Sequence, residues 1–385
     1  MRYLFIVMLM INAVCVSAQT AWQKKVLKDM RPAIMQRAKW AMQQQPQTVT
    51  SYRCVRSAGG LHDFYSEGDY WWPDPEHPDG PYIQRDGQSN PDNFVAHRQA
   101  MIRFSRVMGA LAAAYMASKD RTYLQHALKH AKAWFEDSAT RMNPNLLYAQ
   151  AIKGRVTGRG IGIIDTLQFL EVVQALRIME KAGAIPPAEL TAFKAWFTSY
   201  LEWMTTHPYG KDEMNAANNH GTCWVAQVAA FSLFVNNKPL IDSCINRYKT
   251  VLLPSQMDAD GSFPRELKRT KPYGYSLFNL DAMSAICQLL SGSGNDLWRY
   301  TVEEERNMGK GISFMYPYVK DKTTWPLAHD VMYWSNWPVA QPFLLFGAAA
   351  FDNEAYYRLW LSLDHDPQEE EVLRNLPVRN PVIFL

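Results

Sequence analysis

The sequence predicts an all-α chain built as an (α/α) toroid, an incomplete barrel of inner and outer helices. Three observations carry that expectation. Apolar residues recur at helical spacing through most of the 385 residues, while strand-like alternation is almost absent. Segments 225–235 and 343–351 are apolar nearly all round, whereas 120–137 carries a charged face. A helix of the first kind must be surrounded and one of the second must cover something, so their alternation describes an inner layer wrapped by an outer one. Thirdly, no repeat of fixed length and no linker divides the chain, which reads as one domain from residue 19 to the end.

The helical pattern begins at 21–45 and stops at Pro46. Asn90-Pro91 supplies an N-cap followed by a proline at the first position, and opens a helix to about Ser118. Asp120 caps the next, to Phe135; 164–181 follows, ending at Gly183, and Pro186-Pro187 opens one to about Thr206. Further helical segments follow His220 and cover 239–253, 276–290, 295–307, 339–350 and 354–361. The exception is 48–89, which lacks periodicity but holds Tyr70, Trp71, Trp72 and Tyr82 among turn-forming Pro, Gly and Asp. A loop that long and that aromatic reads as a folded lid over a cleft, or as a strap packed on the toroid.

The first residues carry an early arginine, an apolar run and a small-residue finish at Val16-Ser17-Ala18, the pattern of a secretory signal peptide cleaved after Ala18. Cys15 offers a lipoprotein reading that ranks second, because Val14 is bulkier than a lipobox prefers. The apolar run is short for a membrane span and no other stretch approaches that length, so the expectation is an exported, periplasmic chain. Lys plus Arg number 40 against 37 Asp plus Glu, a balance that excludes a generic nucleic-acid binder. Cys54, Cys223, Cys244 and Cys287 show no paired spacing, which excludes a zinc scaffold and a disulfide framework and leaves room for one bridge. Aromatics at 13% suit sugar-ring stacking.

Four clusters carry candidate chemistry. In NAANNHGTCW, Asn218, Asn219 and His220 stand at the mouth of an apolar helix, where an Asn N-cap, free backbone N–H groups and the helix dipole would face an anion. In 258–279, Arg265, Lys268, Arg269 and Lys271 precede Tyr273 and Tyr275, again just ahead of a helix, and a nearby arginine stabilises a phenolate. In 148–165, Gln150, Lys153, Arg155 and Arg159 surround glycines that let backbone approach a ligand. In HDVMYWSNWP, His329, Tyr333, Trp334 and Trp337 are either stacking platforms or core aromatics. His126 and His130 lie one helical turn apart, but without the glutamate of a zinc-hydrolase helix they read as a surface face. The acidic run 364–371 reads as a solvated tail.

The NNH triplet before a Trp-containing helix, with ELKRTKPYGYSLFNL about fifty residues on, resembles the alginate-lyase superfamily of uronate polysaccharide lyases. YAQAIKGRVTGRGIGIID and GDYWWPDPEHPDGPYIQRDG are similar to its other blocks, most of all those of Bacteroidetes-type relatives that include glucuronan lyases (polysaccharide lyase family 38). The resemblance implies an (α/α) toroid and β-elimination with no metal and no cofactor. It matches Asn219 to a carboxylate-neutralising amide, His220 to a proton-abstracting or assisting group, Arg269 to a charge stabiliser and Tyr275 to the catalytic tyrosine. The six-residue spacing from Arg269 to Tyr275 is one shorter than in the mannuronate lyases, which keeps Tyr273 beside Tyr275 as the alternative. Trp71, Trp72, Gln150, Arg159, Asn218, Tyr273, His329 and Trp334 are the expected substrate contacts, and an acidic polysaccharide is the expected partner.

The chemistry agrees with that set. Eliminating a 4-linked uronate requires neutralising its carboxylate, removing the C5 proton, stabilising an enolate-like state and protonating O4. Amide and guanidinium donors serve the first and third tasks, and His and Tyr the others. In β-D-mannuronate and β-D-glucuronate the C5 proton and O4 share a face, and in α-L-guluronate they do not, so one tyrosine assisted by His220 points to glucuronan or mannuronate-rich alginate. Two alternatives stand beside this reading. A glycoside hydrolase would use opposed carboxyl groups among Asp69, Asp258 and Asp260; a non-catalytic glycan-binding protein would need the aromatics alone.

Overall fold

Apart from the single turns Leu253–Gln256 and Pro264–Leu267, the helices include, in chain order, α1 (Arg31–Met42), α2 (Ala96–Ser118), α3 (Thr122–Phe135), α4 (Phe169–Lys181), α5 (Pro187–Thr206), α6 (Pro208–Met214), α7 (Asn219–Val235), α8 (Lys238–Arg247), α9 (Pro272–Leu290), α10 (Met308–Lys320), α11 (Pro342–Phe351), α12 (Glu354–Ser362) and α13 (Glu370–Arg374). They come from a computed structural model that describes residues 21–292 and 294–385. The expected leader, with Cys15 and the cleavage site after Ala18, lies outside the described residues. Among the described residues no helix is long and apolar enough to cross a membrane.

The helices α2, α4, α7, α9 and α11 pack each against the next. All five are buried along most of their length, α7 and α9 almost completely. Outside them, α1 and α3 lie on α2, α5 and α8 on α7, α10 on α9, and α12 on α11. This is the inner and outer arrangement of an (α/α) toroid, produced by the all-round apolar character of the inner segments. The short 3₁₀ turn Pro381–Phe384 touches both α2 and α11, so the end of the chain bridges the first and last inner helices.

The aromatic segment 48–89 forms two small ladders rather than helix. Strand β1 (Tyr65–Glu67) pairs in parallel with β4 (Tyr148–Ala151), and β2 (Trp71–Trp72) pairs antiparallel with β3 (Ile83–Gln84). The Gly68 turn between β1 and β2 is obligatory: a Cβ there would stand 2.6 Å from the Trp71 ring and 2.8 Å from the Arg159 guanidinium.

Several expectations are corrected. The helix expected from Asn90-Pro91 starts at Ala96, because Asn90 folds a turn in which its side-chain Oδ1 accepts from the Asp92 N–H and its side-chain Nδ2 donates to the Trp71 carbonyl. Residues 295–307 are mostly turns, and the helix comes later as α10, capped by Asn307; Gly309, Gly311 and Pro317 disguised it. His126 and His130 are buried, both within hydrogen-bond reach of the Gln44 carbonyl, and burial holds His130 down at about 4. The acidic run 364–371 is solvated at Asp364, Asp366 and Glu370 as expected, but its last residue, Glu371, is buried at 7% exposure. Cys54, Cys223, Cys244 and Cys287 are all free thiols.

Candidate active site

Helices α7 and α9 are neighbours, and their first turns open on one cavity together with the 3₁₀ run Gly160–Gln168 that leads into α4. The NNH triplet starts α7. Asn218 is the N-cap, its side chain accepting from the His220 N–H, and Asn219 is the first helical residue. Gly221 is needed immediately afterwards, since a Cβ would stand 2.2 Å from the Ala216 carbonyl oxygen. The backbone amides at this mouth are not free, contrary to the expectation that they would face an anion. Glu266 Oε1 accepts from the Asn219 N–H at 2.8 Å, and the Asn218 carbonyl from Gly221 at 3.0 Å. Ligand-facing donors are therefore side chains.

Two buried glutamates orient those side chains. Asn219 Nδ2 donates to Glu266 Oε2 at 2.6 Å, which fixes the amide plane and leaves its second N–H for a ligand. Burial pushes the Glu266 carboxyl above its ordinary range despite the opposing bonds from Asn219. His220 Nδ1 lies 2.7 Å from Glu213 Oε1, and Glu213 is fully buried. With the proton on Nδ1, held toward the carboxylate, Nε2 is the ring nitrogen left to accept one.

Arg269 is clamped by Asp86, with Nη2 at 2.7 Å and Nε at 3.2 Å from its two oxygens, and Nη2 also donates to the Tyr275 hydroxyl at 3.3 Å. Burial pushes the Asp86 carboxyl up, but the bonds and charge of Arg269 outweigh it and hold the group below its usual range. The Tyr275 hydroxyl donates to Tyr70 Oη at 2.9 Å, and Tyr70 reaches Glu371 at 3.4 Å. Glu371 is paired with buried Lys271 at 2.5 Å, whose ammonium sits 5.2 Å from the Tyr275 ring centre. Burial raises the Tyr275 phenol well above its ordinary value, more than Lys271 and Arg269 lower it. That direction favours the protonated phenol, the form a proton carrier needs.

Trp71, Gln150 and Arg159 complete the wall. Gln150 accepts Arg159 through its carbonyl at 2.9 Å and its side-chain oxygen at 3.2 Å, and Arg159 lies 5.7 Å from the Trp71 ring centre. Asn219, His220, Arg269, Tyr275, Trp71, Gln150 and Arg159 thus line the same cavity, joined by Tyr70 and Arg374. Asp69 is the one carboxylate lining it, and Arg98 (2.6 Å) and Arg374 (2.9 Å) occupy it.

Residues 48–325 match the alginate lyase family. The chain belongs to that family. It is similar to an alginate lyase from Bacteroides ovatus whose crystal structure superposes with a TM-score of 0.81 at 31% identity, over 95% of this chain and 97% of that one. Alginate lyase A1-III from Sphingomonas species A1 shares the fold, with a TM-score of 0.53 at 16% identity over 83% and 87% of the two chains. An alginate lyase of Pseudomonas fluorescens is 27% identical over 121 residues, 31% of this chain and 32% of that protein, so the match spans about a third of that relative's length.

The remaining residues expected at the alginate lyase site lie elsewhere. Tyr273 is fully buried; its hydroxyl donates to the Tyr318 carbonyl at 3.0 Å and its ring packs on Trp325 and Trp334. His329 stacks on Trp334 at 4.0 Å, and Lys322 caps the same indole. This aromatic cluster is not part of the cavity wall. Trp72 faces an adjoining trough of about 970 Å³ that shares Asp69 and Arg374 with the cavity, and Asn218 serves as the helix cap. Glu213, Glu266, Asp86, Glu371 and Arg374 were not foreseen. Glu266 lies three residues before Arg269, a spacing that could have flagged it. Glu371 and Arg374 lie beyond the family-matched residues, and no local pattern announces them.

Proposed function

We propose that this chain is a polysaccharide lyase that cleaves a 4-linked polyuronate by β-elimination, leaving an unsaturated uronate end. The observation that carries it is the convergence of an amide, a guanidinium, an imidazole and a phenol on one cavity. Asn219, with Arg269 and Arg159, neutralises the substrate carboxylate and so favours the enolate-like state. His220 takes the C5 proton through Nε2, since Glu213 holds the other nitrogen. Tyr275, kept as a phenol, protonates the departing O4. Electrons from the C5–H bond form the C4–C5 double bond as the C4–O4 bond breaks.

Asn219→Ala removes one carboxylate donor and should lower kcat by about 10²–10³-fold. Single-turnover rates at matched protein stability check it, and an unchanged rate would remove Asn219 from the mechanism. The hydrolase reading finds no support in the wall. Asp69 is neutralised by two arginines, while Asp258 and Asp260 lie in a turn where they accept the Ala259 and Ser262 N–H groups.

His220 and Tyr275 stand in the first turns of adjacent inner helices, which supports their reaching one face of the sugar. That favours substrates whose C5 proton and O4 share a face, glucuronan or mannuronate-rich alginate, over polyguluronate. The test is absorbance of the new double bond, followed on the three polymers at equal concentration with no metal added. Reducing ends without that absorbance would mean hydrolysis; faster cleavage of polyguluronate would place the acid and base on opposite faces. An exported, periplasmic protein with one catalytic domain from residue 19 onward is the setting this reading expects.

A further inference from the structure

Beside α1, the outward face of α2 and the C-terminal segment lies a second cavity of about 280 Å³ that shares no lining residue with the catalytic one. Arg37, Arg106, Arg379 and His365 line it, together with the indole of Trp40. Its one lining carboxylate, Asp366, is taken by Arg106 at 3.2 Å.

The other two guanidiniums are short of partners there. Arg379, at 8% exposure, gives its terminal nitrogens to Ser105, Gln168 and the Leu373 carbonyl, with Glu171 at 3.6 Å, yet its Nε has no partner. Arg37 donates Nη1 to the carbonyls of Arg379 (3.2 Å) and His365 (3.5 Å), and its Nε and the His365 Nε2 are likewise buried and unpaired. A carbonyl accepts a hydrogen bond without cancelling the charge, and an unpaired buried donor costs about 1–3 kcal/mol. Burial accordingly lowers both groups, Arg379 to about 10. An incoming oxyanion would meet the needs of the two arginine Nε–H groups, while burial holds His365 down at about 4, so its ring enters the site as a neutral imidazole.

We infer that this cavity is a second binding site, for the carboxylate-bearing ring of a uronate. Guanidinium forks match a carboxylate, and Trp40, which has Arg106 at 4.9 Å from its ring centre, offers the rest of its surface to a sugar. The trough lined by Trp72, Tyr52, Tyr333 and Arg103 adjoins both this cavity and the catalytic one: it shares Trp40 and Arg106 with the first and the Asp69–Arg374 ion pair with the second. A charged glycan chain lying along that trough can engage both ends, which a free phosphate cannot. The choice of a uronate rests on the polyuronate reading of the catalytic cavity and extends it to a second site.

Calorimetric titration of D-glucuronate, and separately of inorganic phosphate, tests it in the Asn219→Ala protein, whose catalytic cavity has lost a carboxylate donor. The expected result is glucuronate binding that weakens roughly tenfold or more when Arg37→Gln or Arg106→Gln is added. Phosphate should bind more weakly than glucuronate. Having two added variants, each checked for its melting transition, covers the failure of one to fold. Absence of glucuronate binding, an unchanged Kd in both doubly substituted proteins, or phosphate binding without glucuronate binding would each overturn the inference. Lyase turnover by Arg37→Gln alone should match wild type on short substrates, so the absorbance assay reports the catalytic reading separately.

Discussion

Tyr275→Phe should lower kcat by about 10²–10⁴-fold, the usual contribution of a positioned proton-transfer group, while KM stays near the wild-type value. The substitution removes one hydroxyl from a wall otherwise held in place. Arg269 keeps its two bonds to Asp86, and Lys271 keeps Glu371. Tyr273→Phe is the matched comparison. It loses a single hydrogen bond to the Tyr318 carbonyl, which costs about 0.5–1.5 kcal/mol of stability and should leave turnover intact. Steady-state rates and melting curves of the two variants decide the matter. An inactive Tyr273→Phe beside an active Tyr275→Phe would transfer the acid role to a residue buried among Trp325 and Trp334.

Lys271→Met should destabilise the fold by about 3–5 kcal/mol, the cost of breaking a buried ion pair and stranding one partner. Lys271 and Glu371 are 5% and 7% exposed at their side chains. Burial would raise the Glu371 carboxyl, but Lys271 and then Arg374 overcome it and hold the group at about 2. A carboxyl depressed on folding contributes stability that is complete above its unfolded value near 4.3 and disappears as pH falls toward 2. The wild-type protein should therefore lose urea resistance between pH 5 and pH 3 more steeply than Lys271→Met, in which much of that depression has gone. Equal pH dependence in the two proteins would show that Arg374 alone holds the carboxylate. Replacing both partners, Lys271→Met with Glu371→Gln, should recover part of the loss, because no ion is then stranded.

The helical part of this architecture was legible because it depends on local periodicity: the segments that became α7, α9 and α11 are apolar all round wherever they sit. The turn at Asn90 and the late start of α10 were hidden for the opposite reason. Asn90 uses its side chain on a residue nineteen positions away, and α10 carries two glycines and a proline that local propensity counts against it. At the site, residues in direct reach of the cavity formed short motifs and could be read, whereas their supports could not. Glu213 reaches His220 across the turn between α6 and α7, Asp86 reaches Arg269 over 183 positions, and Glu371 reaches Lys271 over 100. Most of the acidic run is solvated as it reads, and Glu371 alone departs from it because charge does not reveal a partner brought by the fold.

The C-terminal turn that bridges α2 and α11 has a consequence for when the cavity can exist. Glu371 and Arg374, which hold Tyr70, Lys271 and Asp69 in register, are delivered by the same terminal stretch that closes the ring. While the chain is still being made or threaded, the inner helices can pair with their sequence neighbours, but the cavity lacks these charges. Closing a loop of that length pays its entropy before any contact rewards it. The inner helices pair with their sequence neighbours, whereas the cavity wall depends on contacts 100 and 301 positions apart in the chain.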